Sequence, residues 1–63
     1  MRFTLTVDSG NEAFDTEEKA RDQLCRIMFD VHAKLCDETV TDGTIRDING
    51  NTVGNWCLTM EDV

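Results

Sequence analysis

Between Thr16 and Cys36 the apolar side chains Ala20, Leu24, Ile27, Met28, Val31 and Leu35 recur at spacings of three and four residues. That period lines one stripe of an α-helix. A single amphipathic helix is marginal in water unless something covers its apolar face. In a chain of 63 residues, near the lower limit for one self-sufficient core, only the short segments on either side can supply that cover. One domain spanning 1–63 is expected.

Both flanking segments read as β-structure. Residues 2–8, "RFTLTVD", alternate, with Phe3, Leu5 and Val7 on one side and Arg2, Thr4, Thr6 and Asp8 on the other, the pattern of a half-buried strand. A polar connection, "SGNEAF", leads to Asp15, which the spacing to Glu18 marks as a helix N-cap in a capping-box pattern, with Phe14 as the preceding staple. The helix should run over 16–36, with Asp22, Arg26, Asp30 and Lys34 forming a solvated face of alternating sign. "DETVTDG" stops it, and Gly43 offers a flexible restart.

From 44 to 60 the chain reads as a hairpin, "TIRDI" and "VGNWCLTM" around "NGN". A two-residue turn at Asn49-Gly50 or a four-residue loop over 49–52 places Ile45, Trp56, Leu58 and Met60 on one face, with Gly54 leaving room beside the indole. A three-residue loop would separate Ile45 from Trp56, and is rejected on that ground. Ile48, Val53 and Cys57 then share the outer face. The resulting fold class is α+β, with order β-α-β-β and one amphipathic helix packed on a three-stranded sheet. The all-antiparallel strand order 2-3-1 is preferred to 3-2-1, which contains a parallel pair and a right-handed crossover.

Composition narrows the function. A net charge of −7 argues against direct binding of nucleic acid or of an anionic membrane surface, both of which need a basic face. No long apolar run and no signal-peptide core follow Met1-Arg2, so a cytoplasmic protein is expected. Three cysteines are an odd number without CxxC spacing, which favours reduced thiols.

Catalysis finds little support. The chain has one histidine, no arrangement of nucleophile and base, and no phosphate-binding glycine loop; no enzyme and no cofactor are expected. Asp47, Asn49 and Asn51 imitate the opening of a calcium loop, but Thr52 stands where the glycine belongs and Leu58 where the bidentate glutamate belongs. His32 and Cys36, one helical turn apart, are half of a zinc site at most, and completing it would take Cys57 or a second subunit. No metal site is expected.

Two surfaces stand out as binding candidates. Cys25, Phe29, His32 and Cys36 form a second apolar stripe centred roughly 120° from the first at 100° per residue. Two readings of it stay open: a flank of the core curling under Val40, or an interface, for which antiparallel pairing in a homodimer is the simplest closed arrangement. Carboxylates gather at both ends of the helix, with Asp8, Glu12, Asp15, Glu17 and Glu18 at one end and Asp37, Glu38 and Asp42 at the other. Capping and solubility account for many of them; as a functional row they would imitate DNA phosphates.

Taken whole, the chain resembles a family of very short phage and prophage proteins. The likeness rests on an opening strand of the "RFTLTV" kind, an "NEAF"-like turn, one helix, and a closing segment like "IRDINGNTVGNWCL", with its D-x-N-G-N-x-V-G-x-W run. It covers nearly the whole chain, specifies structure, and transfers no catalytic or binding residue. The cysteines and the second apolar stripe depart from the family's pattern. The resemblance implies a small acidic protein that occupies a surface of a host protein or defence complex, as anti-CRISPR proteins do. Its alternative is a self-assembling structural or accessory phage protein.

Overall fold

The computed structural model describes residues 1–60. Strand β1 (Arg2–Val7) is followed by a single 3-10 turn (Glu12–Phe14), helix α1 (Glu17–Leu35), and strands β2 (Asp42–Arg46) and β3 (Thr52–Thr59). The three strands form one sheet in the order β1-β3-β2, and both pairings are antiparallel. This is the α+β fold expected from the sequence, with the preferred strand order.

The helix begins one residue later than the capping-box reading places it. Thr16, in extended conformation, is the N-cap, and its hydroxyl oxygen accepts from the Lys19 N–H at 3.1 Å. Asp15 lies just outside and pairs instead with the Lys19 ammonium at 3.3 Å. At the far end Asp37 takes the Thr39 N–H and hydroxyl on one carboxylate oxygen, at 3.0 and 2.7 Å. That local competition for donors ends the helix.

The core consists of Ile27, Val31, Ile45, Val53 and Trp56, with Leu5, Val7, Phe14, Val40 and Leu58 partly buried around them. Trp56 is 1% exposed and occupies the middle of the sheet, between Leu5 on β1 and Gly43 on β2. A Cβ at residue 43 would lie 2.8 Å from the indole nitrogen. Room for the ring therefore comes from Gly43, which belongs to β2 and is no flexible restart. Gly54 does something else. A Cβ there would stand 1.8 Å from the Thr6 carbonyl oxygen, so the glycine permits close approach of β1 to β3.

The hairpin departs most from expectation. Asp47 N–H donates to the Asn51 carbonyl at 2.9 Å, and Gly50 N–H to the Asp47 carbonyl at 3.0 Å. The loop is thus the rejected three-residue one, Ile48 to Gly50, with Gly50 alone at positive φ (86°), which is the turn-plus-αL-glycine solution. Ile45 nevertheless keeps its place near Trp56, because a β-bulge intervenes: Arg46 pairs with Thr52 and Ile45 with Gly54, so Val53 is the extra residue. The bulge moves Val53 from its expected outer face into the core, where it is 6% exposed. The expected outer group of Ile48, Val53 and Cys57 does not exist.

The helix also buries a narrower row than its sequence suggests. Gln23, Ile27 and Val31 are its buried residues, whereas Leu24, Met28 and Leu35 remain exposed, as does Met60 beyond β3. Three short strands about 4.8 Å apart make a sheet too narrow to cover a stripe more than 100° wide.

Candidate interaction surface

The first half of the helix and the turn before it are tied to the hairpin by polar contacts, and these ties define which surfaces remain free. Asp47, 4% exposed, holds the hairpin tip together: its carboxylate accepts from the Asn49 and Asn51 N–H groups, both at 2.9 Å, and from the Asn51 side-chain amide at 3.2 Å. A fourth donor, the Asn11 side chain, reaches it at 2.8 Å from the turn before the helix. Burial pushes the Asp47 pKa up, but the donors from Asn51, Asn11 and Asn49 outweigh it and hold the group below its ordinary value of 3.8. With both oxygens taken by N–H donors, the carboxylate is not arranged to ligate a cation, and the calcium-loop likeness of this stretch is superficial.

Gln23 supplies the second tie. Its side-chain oxygen accepts from the Ile48 N–H at 3.2 Å and from the Arg26 guanidinium at 2.9 Å. Neither Asn11 nor Gln23 stands out in the sequence as a binding residue. The only signal for Gln23 is its place one turn before Ile27 on the buried row, where an apolar residue would be the default.

Cys25, Phe29, His32 and Cys36 all face solvent, and Phe29 is 77% exposed. Measured from the buried row of Gln23, Ile27 and Val31, the centre of this stripe lies about 170° around the helix at 100° per residue. It is therefore the outward side of α1 and no flank of the core; Val40 packs on the core without covering it. Leu24, Met28 and Leu35 fill the angle between the buried row and the stripe, so the apolar surface is continuous. On its other side Phe29 borders a groove of about 410 Å³ between α1 and β2, lined also by Arg26, Lys34 and Arg46.

Cys57 lies on the outer sheet face with Thr4, Thr44 and Asn55. The sheet separates it from His32 and Cys36, so it cannot complete a metal site with them. Among the described residues no three His, Cys, Asp or Glu side chains converge on a point that could hold a metal ion.

The eight carboxylates at the helix ends, Asp8, Glu12, Asp15, Glu17, Glu18, Asp37, Glu38 and Asp42, are all exposed. Asp15 and Glu17 are neutralised locally by Lys19 and Arg21 at 3.3 and 3.0 Å. Asp37 is held below the ordinary carboxylate range by the Thr39 N–H and hydroxyl. Among the described residues all ion pairs are i,i+4 pairs within the helix or just before it, which leaves Asp8, Glu12, Glu18, Glu38 and Asp42 as free negative charge.

No family model, curated protein or solved structure matches the chain. Among the described residues, no helix is long and apolar enough to cross a membrane.

Proposed function

We propose that the chain is a non-enzymatic binding protein that occupies a basic surface of a host protein or defence complex and inhibits it, acting in the host cytoplasm. The observation that carries this reading is the placement of unpaired carboxylates at both ends of a molecule 40 Å long, held in fixed positions by the Thr16 cap, the Asp37–Thr39 motif and the Asn11–Asp47 tie. A helix of 19 residues separates the two clusters by about 28 Å. Such an array suits a groove built to hold nucleic-acid phosphates, and the resemblance to short phage proteins supplies the setting in which occupying that groove is useful.

The test is phage plaquing on hosts with CRISPR or restriction immunity, with and without the protein. Plaquing should rise with the wild-type chain and fall back with Glu12→Lys, Glu18→Lys and Glu38→Lys combined. The reading fails if the wild-type chain protects phage against none of these systems, or if the triple variant, shown to be folded by circular dichroism, protects equally well.

A further inference from the structure

We infer that the outward face of α1 is covered by a second copy of the same chain, in an antiparallel helix pair whose two-fold axis passes between Asp30 and Val31. This inference is independent of the inhibitor reading. Three observations support it.

The first is surface area. A compact monomer of 7.1 kDa exposes about 4,100 Å², whereas this chain exposes 4892 Å². The excess, about 800 Å² over the whole elongated chain, is of the size that each partner buries in a standard stable interface. Its shape agrees: the radius of gyration is 12.7 Å, against about 10.6 Å expected for this length.

The second is the spacing of the stripe. Cys25 and Cys36 are equidistant from the midpoint between Asp30 and Val31, and so are Phe29 and His32. A two-fold axis through that midpoint sets each cysteine opposite the partner's other cysteine and each Phe29 ring against the partner's His32. The interface is thereby self-complementary, as an isologous dimer requires. A parallel pair would instead stack each residue on its own copy.

The third is charge. Antiparallel pairing opposes the two helix dipoles, while Arg21 and Asp22 both come within about one helical turn of the partner's Asp37 and the partner's Glu38 and offset each other. The remaining end carboxylates still repel, so the dimer should tighten as salt rises.

Light scattering after size exclusion should give twice 7.1 kDa for the wild-type chain at high micromolar concentration, and Phe29→Asp should give the monomer mass with an unchanged circular dichroism spectrum. Cross-linking then tests orientation in a Cys57→Ser background, using a short bismaleimide whose two C=C bonds each add one thiol. Within one chain Cys25 and Cys36 are about 16 Å apart along the helix, beyond its reach, so a link between them must join two copies. The parent should form a covalent dimer. Cys25→Ser and Cys36→Ser should each fail alone, and an equal mixture of the two should recover about half the yield, the statistical share of mixed dimers. A wild-type monomer at that concentration, or efficient linking by either single-cysteine variant alone, would overturn the proposal.

Discussion

The Asn11 side chain donates to the Asp47 carboxylate at 2.8 Å across 36 residues of sequence, joining the turn before the helix to the tip of the hairpin. Through this bond one buried anion organises two loops. Asp47 in turn satisfies three donors of its own loop. Asp47→Asn keeps the size of the side chain but turns one acceptor into a donor facing donors. The melting temperature should fall by several degrees, and the Asn11 and Asn51 side-chain amide resonances should lose their dispersion in proton–nitrogen NMR spectra.

The same carboxylate, with Asp37, sets the acid limb of stability. Both have folded-state pKa values below the ordinary 3.8. A depressed folded pKa contributes stability that is fully present above the unfolded value and is lost as pH falls through it toward the folded one. Denaturant midpoints should therefore hold steady above about pH 5 and decline below about pH 4. In Asp47→Asn that decline should be shallower.

Gly54 and Gly10 make a matched pair of tests. A methyl group at residue 54 would overlap the Thr6 carbonyl oxygen, at 1.8 Å, while at residue 10 it would meet nothing within 4 Å among the described residues. Gly54→Ala should cost about 3 kcal/mol or more and leave little folded protein. Gly10→Ala should stay within about 0.5 kcal/mol of the parent. Urea melts of the two variants decide this, and a benign Gly54→Ala would show that β1 and β3 do not approach as closely as the Val7↔Gly54 register brings them.

Trp56 is almost wholly buried, yet among the described residues its indole N–H has no hydrogen-bond partner. Replacing it by phenylalanine removes volume but no bond. Trp56→Ala should cost about 3–5 kcal/mol, and Trp56→Phe less than half of that. A phenylalanine variant as unstable as the alanine one would mean that the N–H is bonded in solution.

Gln23→Ala tests the tie between helix and hairpin. It leaves the Ile48 N–H without its acceptor, so a loss of about 1–2 kcal/mol is expected. Amide exchange should accelerate at Ile48 and spare Ile27 and Val31, whose helical hydrogen bonds are unaffected.

Periodicity made the helix, the strands and their antiparallel order legible, because each rests on a repeat of two or of three to four residues. Where the reading failed, the deciding interaction joined residues distant in sequence or depended on a count of one. Asp15 has the composition of a cap, but Thr16 next to it takes that place and leaves Asp15 to Lys19. The bulge at Val53 leaves no periodic trace, so parity arguments about the loop excluded the loop that forms. Of the candidate interface, the residues of the Phe29 stripe were identifiable from the sequence, but their outward direction was not, because it depends on how narrow a row the sheet buries. Asn11 and Gln23 were missed for a related reason: a single polar residue has meaning only beside its partner.

The bulge at Val53 has a further consequence for how this chain can change. From Ile45↔Gly54 onward, the pairing of β2 with β3 is the one that an unbulged hairpin with a two-residue turn at Asn49-Gly50 would also give. The two closures share that pairing and differ on β3: the bulge brings Val53 into the core, whereas the two-residue turn would leave it on the outer face. The bulged closure is held by one valine seeking cover and by one carboxylate whose donors include Asn11 from the turn before the helix. A substitution at position 53 that no longer seeks cover is therefore the change that would favour the two-residue turn, with the pairing from Ile45↔Gly54 onward left as it is.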